Sequence, residues 1–341
     1  MKQVRAAALL LAALLVLTGL AVTAAPSAPG GSGKKITIAL SYQAAPSESD
    51  PWHFMAQRWQ ALLKERTGGN IEAQLFPGGQ LSGGNQQKEI ELVQNGAIQA
   101  SILPTGTLSV IDPRFQVVQL PWMVLNNDAA ARLIDGPLGQ ETLGWLRAKG
   151  MEPIGIGSNG FRQLANRRRP VTKPEDLQGI KLRVPGSRVL VEAWKALGAQ
   201  PVVMNFAELY TALQQGTVDG EELPWVFKFS TKFYEVEKYG TQLNYSFDLI
   251  YVVFNRQLWD SFAPADQDVL RATAREAARA EREFLSRAAQ RVVEQLRMQG
   301  MDIIILTPYQ LGAFQAKMPP VYDQFSGAIG KELIERFRKG R

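Results

Sequence analysis

Residues capable of bond-making chemistry are scarce in this chain, which contains no cysteine and a single histidine, His53. A cysteine nucleophile, a thiolate metal site and a disulfide scaffold are therefore excluded, and a zinc site built from several histidines is impossible. A Ser-His-Asp triad would have to use His53, which falls on a predicted helix and is typical of a surface or packing residue. We expect neither a metal nor a cofactor.

Glu221 and Glu222 form an adjacent carboxylate pair that could supply acid–base chemistry. Neighbouring side chains point in different directions, so one of the two is predicted to be solvated or to cap a helix. Because no nucleophile, metal or activated base accompanies the pair, an enzyme is the weakest of the functional hypotheses.

Two arginines give a stronger signal, because both fall near the ends of predicted strands. Arg162 follows a strand that ends near Gly157, and Arg183 lies within a strand at 182–184. Ligands of open α/β folds bind beyond the carboxyl ends of the strands, where a planar guanidinium can pair both oxygens of a carboxylate. Phe161 and Phe206 also lie close to strand ends. The pattern predicts a binding site for a small organic anion.

The segment at 155–160 matches G-x-G-x-x-G and follows a predicted strand. A dinucleotide-binding motif should open a helix at this point, but the arginine run at 167–169 and Pro170 interrupt any helical pattern. That run is predicted to be a solvated loop, and basic residues are spread along the chain instead of clustered. Neither a dinucleotide nor a nucleic-acid partner is expected.

Strand and helix patterns alternate along the chain, which predicts an α/β fold with helices on both faces of the sheets. The first set comprises strands at 35–40, 71–76 and 97–103 and helices at 52–66 and 88–94. The second set comprises strands at 153–157, 182–184 and 201–204 and helices at 189–197 and 207–215. A strand at 250–254 is predicted to return to the first sheet. The stretch 265–299 has no glycine or proline and predicts a helix roughly 50 Å long.

Length and the amino terminus point to a two-lobe exported protein. The chain has 341 residues, which suits two lobes of roughly 120–170 residues each. Lys2 and Arg5 precede an apolar stretch at 6–25, which predicts a signal peptide cleaved after Ala24 or Ala25 and a flexible linker at 26–34. The alternative is an uncleaved membrane anchor. A periplasmic location without a lipid anchor is predicted, since no cysteine is present to carry a lipid.

Several segments, in order along the chain, resemble the solute-binding subunits of tripartite ATP-independent periplasmic (TRAP) transporters, the dicarboxylate-binding-protein-like family. These are Phe-Pro-Gly-Gly-Gln-Leu at 76–81, Gly-Phe-Arg-Gln at 160–163, Pro-Glu-Asp-Leu at 174–177, Gly-Ile-Lys-Leu-Arg-Val-Pro at 179–185, the long block from Glu-Leu-Tyr to Val-Asp-Gly at 208–220, and Lys-Phe-Tyr-Glu-Val at 232–236. The block at 208–220 is the most specific of them.

The resemblance implies a type II-like, two-lobe periplasmic binding protein with mixed sheets and a long helix that spans both lobes. It places lobe I at 35–160 plus 249–288 and lobe II at 161–248 plus 289–341, with chain crossings near 160 and 248. It also implies a partner driven by an ion gradient, composed of a large and a small integral membrane subunit, without ATP hydrolysis. A receptor or sensor kinase served by the same fold is the alternative.

Residue roles carry over from the family onto matching positions. Arg183 is expected to clamp the ligand carboxylate, and Arg162 to support the same anion. Leu223 stands where the family often has an asparagine that contacts ligand, and with Trp225 it is expected to form an apolar wall. Asp248 could pair with an arginine, bind a ligand hydroxyl or join a cation site.

A second departure from the family lies at Asp50-Pro51, where the family has His-Pro. Together with Leu223, it favours an acid with an apolar body, such as a 2-oxo or aromatic acid, over an ordinary C4-dicarboxylate or sialic acid.

Overall fold

The computed structural model describes residues 35–340. The predicted signal peptide and the linker at 26–34 lie outside the described residues. Within residues 35–340, no helix is both long enough and apolar enough to cross a bilayer.

The predicted strands and helices are present, most of them within a few residues of the expected bounds. The strands are β1 (Ile36–Ser41), β2 (Ile71–Phe76), β3 (Ala100–Pro104), β4 (Met151–Phe161), β5 (Leu164–Asn166), β6 (Lys181–Val184), β7 (Gln200–Val203), β8 (Gly220–Glu221), β9 (Tyr239–Gln242), β10 (Phe247–Asn255) and β11 (Asp302–Ile305). The helices are α1 (Pro51–Thr67), α2 (Gln86–Gln94), α3 (Thr105–Leu108), α4 (Gln116–Gln119), α5 (Asn127–Asp135), α6 (Pro137–Arg147), α7 (Arg188–Ala196), α8 (Leu209–Gln215), α9 (Trp225–Ser230), α10 (Arg256–Ser261), α11 (Pro264–Met298), α12 (Pro308–Gln315), α13 (Pro319–Ile329) and α14 (Lys331–Gly340).

The strands form two mixed sheets, each the centre of one lobe. The first sheet has the order β2-β1-β3-β10-β4, and the second has the order β11-β9-β5-β8-β6-β7. In the first sheet β1 is parallel to β2 and β3, whereas β10 is antiparallel to β3 and β4. The return of 250–254 to the first sheet is therefore confirmed. The glycine-rich segment 155–160 lies inside β4 and opens no helix.

Both faces of the first sheet are buried, as the continuous apolar run of β10 requires. Tyr251 and Val253 face a cluster that includes α2, α6 and the region of Phe115. The alternate residues Ile250, Val252 and Phe254 face a second cluster with α1 and α11.

The chain passes between the lobes twice, at two segments that lie side by side. β4 ends at Phe161 and β5 begins at Leu164, while β9 ends at Gln242 and β10 begins at Phe247. The two crossing segments hydrogen-bond to each other, since the Arg162 amide donates to the Ser246 carbonyl at 2.8 Å. The resemblance placed the crossings near 160 and 248, and the connecting segments span 162–163 and 243–246.

Helix α11 contains 35 residues and belongs to both lobes. Leu270 and Ala274 in its first half pack into the core of the first sheet, whereas Val292 and Leu296 in its second half pack with Ile303 of β11. The prediction of a helix that spans the lobes is confirmed. The lobe boundaries stay a prediction, and within 289–341 the last two helices contact first-lobe elements, α13 packing near Phe115 and α14 against α4 and α5.

Close packing of α11 on β4 depends on glycine in the strand. A Cβ added at Gly157 would lie 2.8 Å from Oε2 of the buried Glu281 and 2.8 Å from Cγ1 of Ile250. The G-x-G pattern is therefore explained by a helix lying against the strand.

We expect Gly157→Ala to lower the free energy of unfolding by about 1–3 kcal/mol, because the added methyl group overpacks this contact. Gly144→Ala is the matched control, since Gly144 is exposed in α6 and a Cβ there meets nothing within 4 Å. That control should be neutral or stabilising by up to about 1 kcal/mol. Equal chemical denaturation midpoints for both variants would contradict this account of the motif.

Candidate functional site

One cavity lies between the sheets, at the carboxyl ends of their parallel strands. Its empty volume, including space open to solvent, is about 480 Å³. The first lobe contributes residues that follow β1 and β3, and the second lobe contributes residues at or after the ends of β6, β7 and β8, as expected for open α/β folds. The lining residues are Gln43, Ala44, Trp52, Gln86, Pro104, Gly106, Thr107, Asn159, Arg162, Arg183, Pro185, Phe206, Leu223, Phe227 and Asp248.

Arg183 brings a buried positive charge to this cavity. It lies in β6 one residue before the strand ends, and only 2% of its surface is exposed. Its Nε donates to the Met204 carbonyl at 3.0 Å, and among residues 35–340 no carboxylate forms an ion pair with it. Burial, opposed by the more distant Glu222, lowers the pKa of Arg183 to about 10. A cation destabilised in this way is ready to bind an anion.

Unlike Arg183, Arg162 forms ion pairs with two carboxylates of the protein. Glu222 accepts from Nε at 2.5 Å and from Nη2 at 2.6 Å, a bidentate pair. Asp248 accepts from Nη1 at 2.9 Å. All three side chains are buried. The two acids hold the pKa of Arg162 above its ordinary value in spite of burial. Of the roles considered for Asp248, the structure shows the ion pair with arginine.

The two chain crossings place this group. Arg162 lies in the first crossing segment, and Asp248 is the second residue of β10, directly after the other crossing. The acid network extends into the second lobe, where Tyr245 donates to Glu222 and accepts from Trp194 Nε1 at 2.9 Å. Burial raises the pKa of Tyr245, so this hydroxyl stays protonated as a donor. The Arg162 group is thus a rigid support at the point where the lobes join.

A β-bulge brings Asn159 to the site. Asp248 pairs with Gly160 and Leu249 pairs with Ser158, so Asn159 is an extra residue in β4 without a partner in β10. Its amide nitrogen donates to Asp248 at 3.1 Å, and its amide oxygen accepts from Trp52 Nε1 at 2.6 Å. Bulges commonly redirect a side chain next to a binding site, and this one links the first helix to the acid group.

The expectation that one of Glu221 and Glu222 would be solvated or would cap a helix is wrong, because both are fully buried and α9, the helix that follows them, has no side-chain cap. They do point in different directions, as expected for adjacent residues. Glu222 pairs with Arg162, whereas Glu221 pairs with the buried Lys228 and accepts from the Leu223 amide. Each carboxylate can be buried because a cation lies on its own side. Glu221 therefore fixes the backbone that carries Leu223.

The region of His53 and Asp50 supports the first lobe's wall. Asp50 caps α1 by accepting from the Trp52 and His53 amides at 2.8 and 3.2 Å, and Ser230 of the second lobe donates to it at 3.3 Å. Burial raises the pKa of Asp50 to about 7. His53 forms a hydrogen bond with the Tyr42 hydroxyl at 2.6 Å. Neither side chain lines the cavity, and Asp50 holds the backbone of Trp52, which does.

Five of the seven predicted site residues lie together on the cavity wall, namely Arg162, Arg183, Phe206, Leu223 and Asp248. The structure does not bring Phe161 and Trp225 to it. Phe161 packs on Phe247 at a ring distance of 5.0 Å, and Trp225 packs with the second half of α11. Both line a separate open groove beside α5 and α11.

The sequence reasoning missed Trp52, Phe227 and Asn159, which line the cavity. Trp52 and Phe227 come from different lobes and meet edge to face at 6.3 Å. Their signal was weak, since each was an apolar residue within a predicted or unassigned helix. Among residues 35–340, no group of three or more His, Asp or Glu side chains is arranged to hold a metal.

Comparison with known proteins agrees with this architecture. Residues 41–328 match the sequence model of DctP, the bacterial extracellular solute-binding protein family 7. The chain is 32% identical over 308 residues to the C4-dicarboxylate-binding periplasmic protein DctP of Rhodobacter capsulatus, covering 88% of this chain and 89% of that protein. It is 30% identical over 293 residues to the 2,3-diketo-L-gulonate-binding periplasmic protein YiaO of Escherichia coli K12, covering 86% and 85%.

A solved structure is similar over nearly its whole length. It is a TRAP periplasmic solute binding protein from Ralstonia eutropha H16 with bound (S)-2-acetolactate, with a TM-score of 0.85 and 31% identity, covering 89% of this chain and 98% of that one. This similarity confirms the two-lobe α/β fold that the sequence patterns and the resemblance predicted.

Proposed function

This chain belongs to family 7 of the bacterial extracellular solute-binding proteins, and we propose that it captures a small organic acid in the cavity that Arg183 lines and delivers it to a TRAP-type secondary transporter. Binding by contacts from both lobes stabilises the closed arrangement of the lobes.

The observation that carries the proposal is the buried guanidinium of Arg183. Every other buried arginine or lysine named in the site has a protein carboxylate as its partner, as Arg162 and Lys228 do. Arg183 lines the cavity with its terminal nitrogens unpaired to any acid of residues 35–340. Buried charges are stable only when paired, so the missing partner is supplied by the ligand.

The partners follow from the family. Export by the amino-terminal segment, with cleavage near Ala24 or Ala25, places the binding lobes outside the cytoplasmic membrane in the periplasm. There the closed, loaded protein meets a large and a small integral membrane subunit. An ion gradient drives release and transport, and the binding protein itself leaves the ligand chemically unchanged.

We expect a panel of organic acids to raise the melting temperature of the purified mature protein, with titration calorimetry giving one site per chain. When the free concentration of the acid is 100 times its dissociation constant, binding raises the free energy of unfolding by about 2.7 kcal/mol. The bound acid should be recovered intact after denaturation, and deletion of the gene should abolish uptake of that acid. A panel in which only neutral or cationic solutes bind would contradict the proposal.

A further inference from the structure

Resting on the proposed function, we infer that the preferred ligand carries a single carboxylate on a largely apolar body, so that dicarboxylates and polyhydroxylated acids are disfavoured. The relatives and the similar structure that this chain matches are named for a C4-dicarboxylate, a sugar acid or a small monocarboxylate. The charged and polar side chains that line the cavity of this chain suit the small monocarboxylate best.

One of the cationic side chains on the wall has no ion-pair partner. Arg162 and Arg183 are the cationic side chains that line the cavity. Arg162 is already bound to both Glu222 and Asp248, so of these two arginines Arg183 is the one that has no ion-pair partner among residues 35–340. One carboxylate satisfies it through two parallel hydrogen bonds.

A second ligand carboxylate has no favourable place. Near Arg162 it would lie within a few ångströms of Glu222 and Asp248, which already neutralise that arginine twice. Repulsion between like charges is strong among side chains as buried as these. Away from both arginines, the ligand would meet an apolar surface, where an ionised group loses its hydration without compensation.

The apolar surface comes from both lobes. Trp52 and Pro104 belong to the first lobe, and Phe206, Leu223 and Phe227 belong to the second. Such a wall contributes through the burial of carbon atoms, roughly in proportion to the area removed from water.

Most uncharged polar side chains on the wall already have hydrogen-bond partners within the protein. Asn159 is bound to Trp52 and Asp248, and the Gln86 amide nitrogen donates to Thr107 at 3.0 Å. Gln43 donates to Ser82 and Glu89. A polyhydroxylated acid needs a partner for each hydroxyl that it buries, and this wall leaves few. Two buried oxygens on the wall, Gln43 Oε1 and Asp248 Oδ1, have no hydrogen-bond partner among residues 35–340, and they suit one or two ligand hydroxyls.

The test compares matched acids on the wild-type protein by titration calorimetry at pH 7.5. The probes are 4-oxopentanoate against succinate, in which an acetyl group replaces one carboxylate at nearly equal shape, and 2-hydroxy-3-methylbutanoate against the trihydroxylated erythronate. We expect the first member of each pair to bind at least tenfold more tightly. If neither member of a pair binds, the tightest acid of a wider panel decides in the same way.

The possible outcomes distinguish the inference about the ligand from the proposed function. A dicarboxylate or polyhydroxylated acid that binds as tightly as its matched partner, or that ranks first in the panel, overturns the inference and leaves the proposed function standing. Failure of every organic acid overturns the proposed function itself.

A variant tests the charge argument separately. Asp248→Asn keeps the side-chain shape and removes one negative charge beside Arg162, so the affinity for succinate relative to 4-oxopentanoate should rise about tenfold. Asp323→Asn, an exposed substitution in α13, should leave the ratio at its wild-type value. A folded Asp248→Asn protein with an unchanged ratio would overturn the charge argument, and the wild-type pairs decide the inference if that variant does not fold.

Discussion

Replacing Arg183 with alanine should weaken organic-acid binding by about tenfold to a hundredfold, because the ligand carboxylate loses a charge-assisted bidentate contact in a buried site. The protein itself should fold normally. The variant loses the packing of a buried side chain and the hydrogen bond from Nε to the Met204 carbonyl, but removal of an unpaired buried cation relieves a cost of desolvation. Calorimetry gives the affinity, and thermal unfolding without ligand gives the stability.

Two further variants make the result specific. Arg183→Lys keeps the charge but loses the planar fork, so we expect a loss between that of alanine and none. Arg188→Ala removes an exposed arginine at the start of α7 and should bind as the wild type does. Wild-type affinity in a folded Arg183→Ala protein would remove Arg183 from the site.

Replacing Arg162 with methionine should lower the free energy of unfolding by about 3–5 kcal/mol, because Glu222 and Asp248 would be left buried without a cation. This is the opposite of the Arg183 result, although both arginines line the same cavity. The difference follows from their partners, since one arginine neutralises two acids and the other none. Chemical denaturation of the ligand-free protein measures it.

Arg168→Ala is the matched control for this experiment. Arg168 is more than half exposed and lies 3.7 Å from Asp219, and surface pairs of this kind contribute about 0–1 kcal/mol. The double variant Arg162→Met with Glu222→Gln should recover part of the lost stability, because it removes one of the stranded charges. A stable Arg162→Met protein with wild-type unfolding would contradict the role of Arg162 as structural support.

The fold was largely predictable because its elements have strong local patterns. The apolar run of β10 and the unbroken helical period of α11 required no knowledge of distant contacts. Regions with weaker signals escaped prediction. The short strands β5, β8 and β9 have two to four residues each, and they exist only because neighbouring strands supply their hydrogen bonds. The packing of α13 and α14 on the first lobe is likewise a tertiary choice that no local pattern encodes.

In the site, both arginines were found because a guanidinium near the end of a buried strand is unusual by itself. Their different roles could not be read from the sequence, since the partners Glu222 and Asp248 are far from Arg162 along the chain. The prediction that both Phe161 and Arg162 line the cavity neglected the alternation of side chains along an extended segment. Adjacent residues of an extended segment point to opposite sides, so a cavity that receives Arg162 cannot also receive Phe161.

The prediction that Trp225 lines the cavity is wrong because of its position around the helix. Leu223 precedes α9, and the cavity receives Phe227, which lies about 200° around the helix from Trp225 at the usual 100° per residue. The apolar wall was therefore predicted correctly in character at Leu223, but its aromatic member was assigned to the wrong side of the helix.

The unpaired position of Asn159 in β4 has a consequence for how this protein could acquire new ligands. A residue inside a regular ladder is constrained by its cross-strand neighbours, and exchanging it disturbs the sheet. Asn159 reaches the cavity from the one position opposite the start of β10 that has no such neighbour. Natural variation or laboratory selection can therefore alter the chemistry of the pocket at this position without breaking the backbone ladder between β4 and β10, although the side-chain hydrogen bonds of Asn159 to Trp52 and Asp248 are lost.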